Sequence, residues 1–244
     1  MFAFYLFTYL SKSFYLFTQI LNMIVSTISL KGGVGKSTIT QNIAVCFAHK
    51  GYSVCIADVD TNQSCLRWSE FRDDDSPTIP VYGYPEGKGL TKNVKTLSTQ
   101  FDFVFVDGTP SLSRTATNII LLSDFVIIPV LAGVMDIWAT ELFLERFEEA
   151  KDQKGENIHA SFLLNQYDKR LSISKETQTI LKNVGEIPLL NSTLGNRVAF
   201  REATIKGQGV YEYTDNKAKK EIIELTEELE NTISNIYSNT QILI

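Results

Sequence analysis

Residues 31–38 read Lys31-Gly32-Gly33-Val34-Gly35-Lys36-Ser37-Thr38. The three glycines let the backbone turn tightly and bring several N–H groups within reach of phosphate oxygens, where a Cβ would obstruct. Lys36 then supplies a mobile positive charge for the β- and γ-phosphates, and the hydroxyl of Ser37 is placed to bind Mg²⁺. The stretch therefore predicts a loop that holds the phosphates of a nucleotide.

The sequence on either side of this loop has the pattern that such a loop requires. Residues 24–30 are β-branched and apolar, which is typical of a buried parallel strand. Residues 38–50 place apolar side chains at helical spacing and predict a helix. Because the N-terminus of a helix carries a partial positive charge, the order strand, glycine loop, helix favours anion binding.

Three aspartates follow two further predicted strands. Asp58 and Asp60 come directly after the strand predicted at 53–57, and Asp107 ends the apolar run 101–107. Side chains at the carboxyl ends of parallel strands lie where ligands bind in open α/β sheets. We expect Asp58 to address the hydration shell of Mg²⁺, Asp60 to orient the attacking water and Asp107 to hold Mg²⁺ through water. The alternative for Asp58 and Asp60 is an acidic helix cap.

The composition indicates one α/β domain with a large core. The chain has 244 residues, of which 44% are hydrophobic and 21% are charged. Its net charge of −5 means that any contact with nucleic acid must come from a local basic patch. Cys46, Cys55 and Cys65 form no CxxC pair, which argues against a disulfide framework and indicates buried or inert thiols in a reducing compartment.

Residues 1–22 differ from the rest of the chain. They hold eight of the 15 Phe and 10 Tyr residues, and Lys12 is their only charge. Ser11, Lys12 and Ser13 break the stretch into two pieces that are each too short for a membrane span. The stretch also lacks the basic start and the small-residue cleavage site that a secretory signal has. Two interpretations stay open: an over-extended gene start with Met23 as the natural first residue, or an extension that contacts a membrane surface.

A second lysine, Lys31, stands at the start of the loop and makes this stretch similar to the motif of a known family. Lys-Gly-Gly-Val-Gly-Lys-Ser-Thr resembles the deviant Walker A motif of the ParA/MinD superfamily of ATPases, in which the first lysine reaches the nucleotide of the partner subunit. The resemblance implies ATP and Mg²⁺ as cofactors, a homodimer formed with ATP, and catalytic roles for Lys31, Lys36 and Asp60. The alternative for Lys31 alone is a solvated loop lysine.

Three other segments carry the same resemblance. Residues 108–113, Gly-Thr-Pro-Ser-Leu-Ser, resemble the switch segment of the small plasmid-partition ParA proteins, often called ParF-like. Residues 194–213 resemble the C-terminal pattern of the family, and Asn165 falls where relatives place a residue near the adenine ring; a simple turn asparagine is the alternative. Thr61 and Asn62 depart from the Pro-Gln that usually follows the two acids of the family.

The late part of the chain holds a basic cluster and an amphipathic helix. In ParA-like dimers a basic surface binds DNA without reading its sequence, and a solvated helix face is the alternative. The last predicted helix, 218–237, has an apolar stripe for the core and an acidic opposite face, unlike the basic membrane helix of MinD. The DNA-binding candidates are Arg197, Arg201, Lys206, Lys217, Lys219 and Lys220.

Together these features predict an α/β fold with a mostly parallel twisted sheet flanked by helices on both faces, formed by residues 23–244 as one domain. The resemblance implies a cytoplasmic, nucleoid-associated ATPase that partitions DNA and is stimulated by a ParB-like centromere-binding partner, without membrane contact. The alternatives are a MinD-like positioning ATPase on the membrane, a ligase or reductase on the same fold, and a nucleotide switch that hydrolyses ATP weakly.

Overall fold

The computed structural model describes residues 22–85, 89–110, 114–154 and 158–241. The strands are β1 (Met23–Thr27), β2 (Val54–Asp58), β3 (Val81–Gly83), β4 (Phe103–Asp107), β5 (Phe125–Val130), β6 (His159–Leu164) and β7 (Leu189–Thr193). The helices are α1 (Lys36–His49), α2 (Ser64–Ser69), α3 (Leu90–Ser98), α4 (Arg114–Leu122), α5 (Val134–Lys154), α6 (Ser172–Asn183), α7 (Val198–Ile205) and α8 (Asn216–Gln241).

The strands form one seven-stranded sheet in the order β3-β2-β4-β1-β5-β6-β7, and every pairing is parallel. The predicted fold class, a parallel sheet with helices on both faces, is confirmed. The chain adds strands on both sides of β1, so the order reverses beside it. In sheets of this kind ligands bind outside the carboxyl ends of the strands at that reversal. The glycine loop follows β1 and therefore lies at this point.

Alternate residues of the strands pack into two apolar layers, one on each face of the sheet. In β4, Phe103 and Phe105 belong to the first layer, while Val104 and Val106 belong to the second. Helices α1, α7 and α8 cover the first layer, and α3, α4, α5 and α6 contribute to the second. Because both faces are covered, the central strands β1, β2, β4 and β5 are buried throughout and form largely apolar runs in the sequence.

Helix α8 closes one edge of the sheet. Its predicted apolar stripe is confirmed: Ile222, Leu225, Leu229 and Ile233 are all buried. On the same helix, the Glu228 carboxylate accepts hydrogen bonds from the backbone N–H groups of two residues in the edge strand β7, Asn191 and Ser192, each at 2.7 Å. The acids of the opposite face are Glu221, Glu224, Glu227, Glu228 and Glu230. Only Glu224 and Glu227 of these are exposed, so much of this acidic face makes contacts within the fold.

Some predictions fall outside the described residues. The N-terminal segment 1–22 is described only at Asn22, and Ser111, Leu112 and Ser113 of the predicted switch segment are also outside. None of the helices in the described part of the chain is long and apolar enough to cross a membrane.

Candidate nucleotide site

The glycine loop forms an open cradle between β1 and α1. Added Cβ atoms at Gly32 and Gly33 would meet no heavy atom within 4 Å, so the space over these residues is free for a ligand. Gly35 has a φ of 88° and precedes the first residue of α1, which directs the helix N-terminus toward the cradle. The predicted arrangement of strand, loop and helix is present, with α1 beginning two residues earlier than the sequence pattern suggested.

Lys36 folds back over the loop that precedes it. Its side-chain Nζ donates a hydrogen bond to the backbone carbonyl of Lys31 at 3.1 Å, and the residue is only 6% exposed. Burial lowers the pKa of Lys36, while the charges of Asp107 and Asp60 act against this change. The ammonium group is therefore held between the cradle and two acids, where the phosphates of a nucleotide would meet it.

Asp58 and Asp107 stand side by side at the ends of neighbouring strands, as their Cα atoms are direct partners in the pairing of β2 with β4. Both are fully buried. The Asp58 carboxylate accepts backbone hydrogen bonds from Asp60 at 3.2 Å, Cys65 at 2.8 Å and Leu66 at 3.0 Å. Burial raises the pKa of Asp58, whereas these three N–H groups favour its charged form.

Asp107 is the least satisfied acid of the site. Its Oδ1 is buried and has no hydrogen-bond partner among the described residues, and burial followed by the Asp58 charge raises its pKa to about 7. A buried carboxylate oxygen without a partner is costly unless a ligand or ion satisfies it. The donor set fits Mg²⁺, because Ser37, Asp58 and Asp107 supply oxygens close to the cradle, and Mg²⁺ is bound by one or two carboxylates together with phosphates and water.

Asp60 lies in the turn that leaves β2 and is 7% exposed. Its Oδ1 accepts a hydrogen bond from the backbone N–H of Asn62 at 2.9 Å. The turn is held by Gln63, whose Nε2 donates to the carbonyl oxygens of Asp58 at 3.2 Å and Asp60 at 2.6 Å. Gln63 itself has a φ of 51°. Gln63 was not predicted as a residue of the site. In the sequence, its position shortly after Asp58 and Asp60 is the feature that could have indicated this contact.

Cys65 is a second residue that the sequence reasoning missed. The prediction of buried cysteines is correct for all three, yet the Cys65 thiol donates to Asp107 Oδ2 at 3.3 Å and so lies inside the site. It reaches this position because α2 begins directly beneath the carboxylate of Asp58. A cysteine with no neighbouring cysteine or histidine in the sequence gives no signal of such a contact.

Asn165 follows β6 and lies against the loop. Its Nδ2 donates to the backbone carbonyl of Val34 at 2.8 Å. It also lines a cavity of about 140 Å³ together with Gly35, Thr38, Leu194 and Phe200. This cavity opens beside the cradle, and its mixed apolar and polar lining suits a purine ring. The prediction that Asn165 lies near the adenine agrees with this placement and stays a prediction.

Lys31 is half-buried at the start of the loop, and its backbone N–H donates to Ser29 Oγ at 3.3 Å. Its carbonyl is the one that accepts from Lys36. The predicted role of the Lys31 side chain in the site of a second subunit requires a dimer, and the structure contains one chain. That role therefore stays a prediction.

The six predicted DNA-binding residues have different surroundings. The Arg197 guanidinium forms two hydrogen bonds to the Glu221 carboxylate, one of them from Nε at 2.9 Å. The ammonium groups of Lys206 and Lys219 lie 4.9 Å and 4.4 Å from the ring centres of Tyr213 and Tyr211. Lys206 is exposed despite this contact, and Arg201, Lys217 and Lys220 are exposed as well, with the Lys220 ammonium 3.6 Å from a carboxylate oxygen of Glu224.

Comparison with known proteins decides the family. Residues 25–210 match the CobQ/CobB/MinD/ParA nucleotide binding domain. The chain belongs to this family. Maintenance of carboxysome distribution protein A of Halothiobacillus neapolitanus is 30% identical over 186 residues, which cover 75% of this chain and 84% of that protein.

Solved structures of family members share the fold. The cell division ATPase MinD of Pyrococcus furiosus has a TM-score of 0.71 at 22% identity, covering 87% of this chain and all of that one. A putative plasmid partition protein of Borrelia burgdorferi, solved with AMPPNP, has a TM-score of 0.66 at 18% identity and covers 86% of this chain and 99% of that one. The predicted membership of the ParA and MinD group is thus confirmed.

Proposed function

We propose that the chain is an ATPase that dimerises on binding ATP, associates with DNA without sequence preference and positions a cargo such as a replicon. The observation that carries this proposal is the convergence of Lys36, Asp58, Asp60 and Asp107 on one open glycine cradle. A phosphate-binding loop alone supports nucleotide binding. Acids on two adjacent strand ends beside it support a bound Mg²⁺ and an oriented water, which hydrolysis requires.

In this proposal each residue of the site has a defined task. The loop N–H groups and Lys36 bind the phosphates, Ser37 and Asp107 hold Mg²⁺, and Asp58 supports its water shell. Asp60 orients the attacking water. Since Lys36 already supplies the cation of this loop for one nucleotide, we assign Lys31 to the nucleotide of the partner subunit, where it neutralises charge as an arginine finger does.

DNA is proposed as the surface on which the dimer acts. The exposed side chains of Arg201, Lys217 and Lys220 offer positive charge on a chain that is acidic as a whole. Contacts to phosphates from such residues are independent of sequence and sensitive to salt. We further propose that the protein acts in the cytoplasm on the nucleoid, with a ParB-like partner that stimulates hydrolysis. The cargo is a replicon or, by analogy with the Halothiobacillus relative, a larger protein body.

The decisive experiment measures ATP hydrolysis and DNA retention on the purified chain. We expect Mg²⁺-dependent turnover, and retention on non-specific DNA with ATP but not with ADP. Asp60→Ala is the matched variant: it should bind ATP and DNA as the unaltered chain does and lose turnover. ATP binding without turnover under any condition would instead indicate a nucleotide switch. Retention on anionic lipid vesicles in place of DNA would indicate a membrane-positioning ATPase.

A further inference from the structure

Three potential metal ligands meet beneath the glycine loop. Asp58, Cys65 and Asp107 are fully buried, and each offers one ligand atom such that all three atoms lie within 4.8 Å of one another. The Cys65 Sγ lies 3.3 Å from Asp107 Oδ2 and 3.9 Å from the carbonyl oxygen of Ser37. The sulfur therefore stands directly beside the carboxylate that is proposed to hold Mg²⁺.

A second observation indicates that this cluster is built to take a ligand. Asp107 Oδ1 is buried without a hydrogen-bond partner among the residues that the structure describes. A buried polar atom left without a partner is costly, because it has lost its contacts with water. The cost is recovered when a cation binds the oxygen. Asp107 thus offers a free oxygen, Oδ1, while its second oxygen, Oδ2, already lies beside the Cys65 sulfur.

The combination of oxygen and sulfur donors determines which metal ions the cluster would bind. Mg²⁺ takes oxygen ligands in near-octahedral geometry and has little affinity for sulfur. Zn²⁺, Co²⁺ and Cd²⁺ accept thiolate and carboxylate ligands together, and three protein ligands with one open position are typical of zinc sites that also bind water.

We propose that Asp58, Cys65 and Asp107 form a binding site for a thiophilic divalent ion of the zinc class. The ion replaces the proton of the Cys65 thiol, and that proton goes to solvent, so no oxidant or reductant takes part. Two carboxylates and one thiolate carry three negative charges. The ion and the nearby Lys36 ammonium offset part of the penalty for burying these charges.

One neighbour of Cys65 can donate to a sulfur that has lost its proton, whereas the Asp107 carboxylate and the Ser37 carbonyl accept from the thiol in the metal-free chain. The side-chain Nε2 of Gln41 faces Sγ at 3.7 Å and donates toward it. Gln41 is buried, and its amide is anchored at the start of α2 by a second contact, 3.4 Å to the carbonyl oxygen of Ser64. Hydrogen bonds to a ligand sulfur orient it and tune the metal.

Occupation of this site has a consequence for hydrolysis, and this part rests on the proposed function. Asp107 is shared, because it is the carboxylate that we assign to Mg²⁺. An ion bound between Cys65 and Asp107 withdraws that carboxylate from the Mg²⁺–nucleotide complex. Zn²⁺ at low concentration should therefore inhibit Mg²⁺-dependent turnover, and a chelator should reverse the inhibition.

The metal site is tested without nucleotide, so that its outcome does not depend on hydrolysis. The full chain, freed of metal by a chelator, is titrated with Co²⁺, and the sulfur-to-cobalt charge-transfer absorption is recorded. We expect one Co²⁺ per chain, displaced by Zn²⁺. Cys65→Ser should abolish the absorption and weaken Zn²⁺ affinity at least ~10-fold. Cys46→Ala and Cys55→Ala are matched controls, since each removes another buried thiol and should leave the absorption unchanged.

Each outcome decides the proposal. Absence of the absorption in the unaltered chain, or its persistence in Cys65→Ser, overturns it. Cys65→Ala serves as a second variant, and thermal melting of both variants checks that they fold. Asp107→Asn should also lose the absorption while keeping all three thiols. Metal binding in a chain that never hydrolyses ATP would overturn the proposed function alone, and hydrolysis without metal binding at Cys65 would overturn the metal site alone.

Discussion

Asn165 and Gly35 lie so close together that a Cβ on Gly35 would come within 2.3 Å of the Asn165 Nδ2. The same nitrogen donates a hydrogen bond to the carbonyl of Val34, which precedes Asn165 by 131 positions in the chain. The end of β6 is thereby fastened to the phosphate loop that follows β1. The shape of the cradle thus depends on a distant residue as well as on its own glycines.

Gly35→Ala should abolish ATP binding, because the added Cβ clashes with Asn165 and a φ of 88° strains any other residue. Asn165→Ala removes one hydrogen bond to the loop and should weaken ATP affinity by about 3- to 10-fold. Titration calorimetry with ATP measures both. The double variant should recover little, since the strain at position 35 remains. ATP binding of Gly35→Ala at the original affinity would contradict the role of this contact.

Lys31→Ala should retain ATP binding and lose ATP-dependent dimerisation, because the missing charge belongs to the partner's nucleotide. Sedimentation velocity with and without ATP measures the dimer. Lys175→Ala, on the exposed part of α6, is the control and should dimerise normally. A Lys31→Ala dimer of unchanged affinity would show that the second lysine has no role across the interface.

Replacing Lys217 and Lys220 by Glu should reduce ATP-dependent DNA retention and lower the slope of log affinity against log salt by about 2, one unit for each lost phosphate contact. Lys92→Glu with Lys95→Glu makes the same change in charge on α3, where both lysines are also exposed. Filter binding over a salt series measures the slopes. If both pairs act equally, the effect is one of net charge and the DNA surface lies elsewhere.

Asp107→Asn should stabilise the apo protein more at pH 8 than at pH 5. Burial raises the pKa of Asp107 to about 7, while the unfolded chain releases this proton near the ordinary value for Asp. The folded state therefore binds more protons between these pKa values, and its stability falls as the pH rises through 7.

Removing the carboxylate removes this loss of stability. The gain in unfolding free energy should be about 2 kcal/mol larger at pH 8 than at pH 5. Urea denaturation without Mg²⁺ or nucleotide measures it. Asp152→Asn, at an exposed position of α5, is the control and should show no such difference. A gain for Asp107→Asn that is the same at both pH values would mean that burial does not act on this group.

Arg72→Met should lower the free energy of unfolding by about 3 kcal/mol, because it removes the guanidinium from a buried carboxylate, which keeps only its contacts with His49 and the Gly209 N–H. Arg72 donates to both oxygens of Glu212, at 3.0 and 3.2 Å, and the side chains of this pair are each 8% exposed. Arg146→Met breaks the exposed pair with Glu149 and should cost at most ~0.5 kcal/mol. Chemical denaturation compares the two, and equal costs would contradict the difference in burial.

The central part of the fold is predictable from the sequence because its strands are buried on both faces. Strand β4 ends at Asp107, as the apolar run 101–107 predicts, and β2 (Val54–Asp58) lies one residue from the strand predicted at 53–57. Helix α6 and strand β7 were not predicted. In β7 only Leu190 is buried, since an edge strand covered by one helix needs few apolar residues and gives a weak pattern. The predicted strand at 24–30 ends earlier, at Thr27, where the chain turns toward the loop.

The acids of the site are predictable because each ends an apolar strand, and the sheet brings strand ends together. The contacts around them are not. Gln63 and Cys65 reach the site through a tight turn whose path no local pattern specifies. Arg197 is basic in sequence, yet its ion pair with Glu221 depends on the packing of α8. Motifs predict which residues carry charge, while their partners follow from the tertiary structure.

The contact of Glu228 with β7 limits how this protein can assemble. A strand that added to this edge from another molecule would need backbone N–H groups as donors, and those of Asn191 and Ser192 are already bonded to the carboxylate. Growth of an extended sheet through this edge would first require α8 to separate from the domain, with loss of its buried stripe. A crowded array of these molecules on one surface is thereby protected at β7 against joining into fibres.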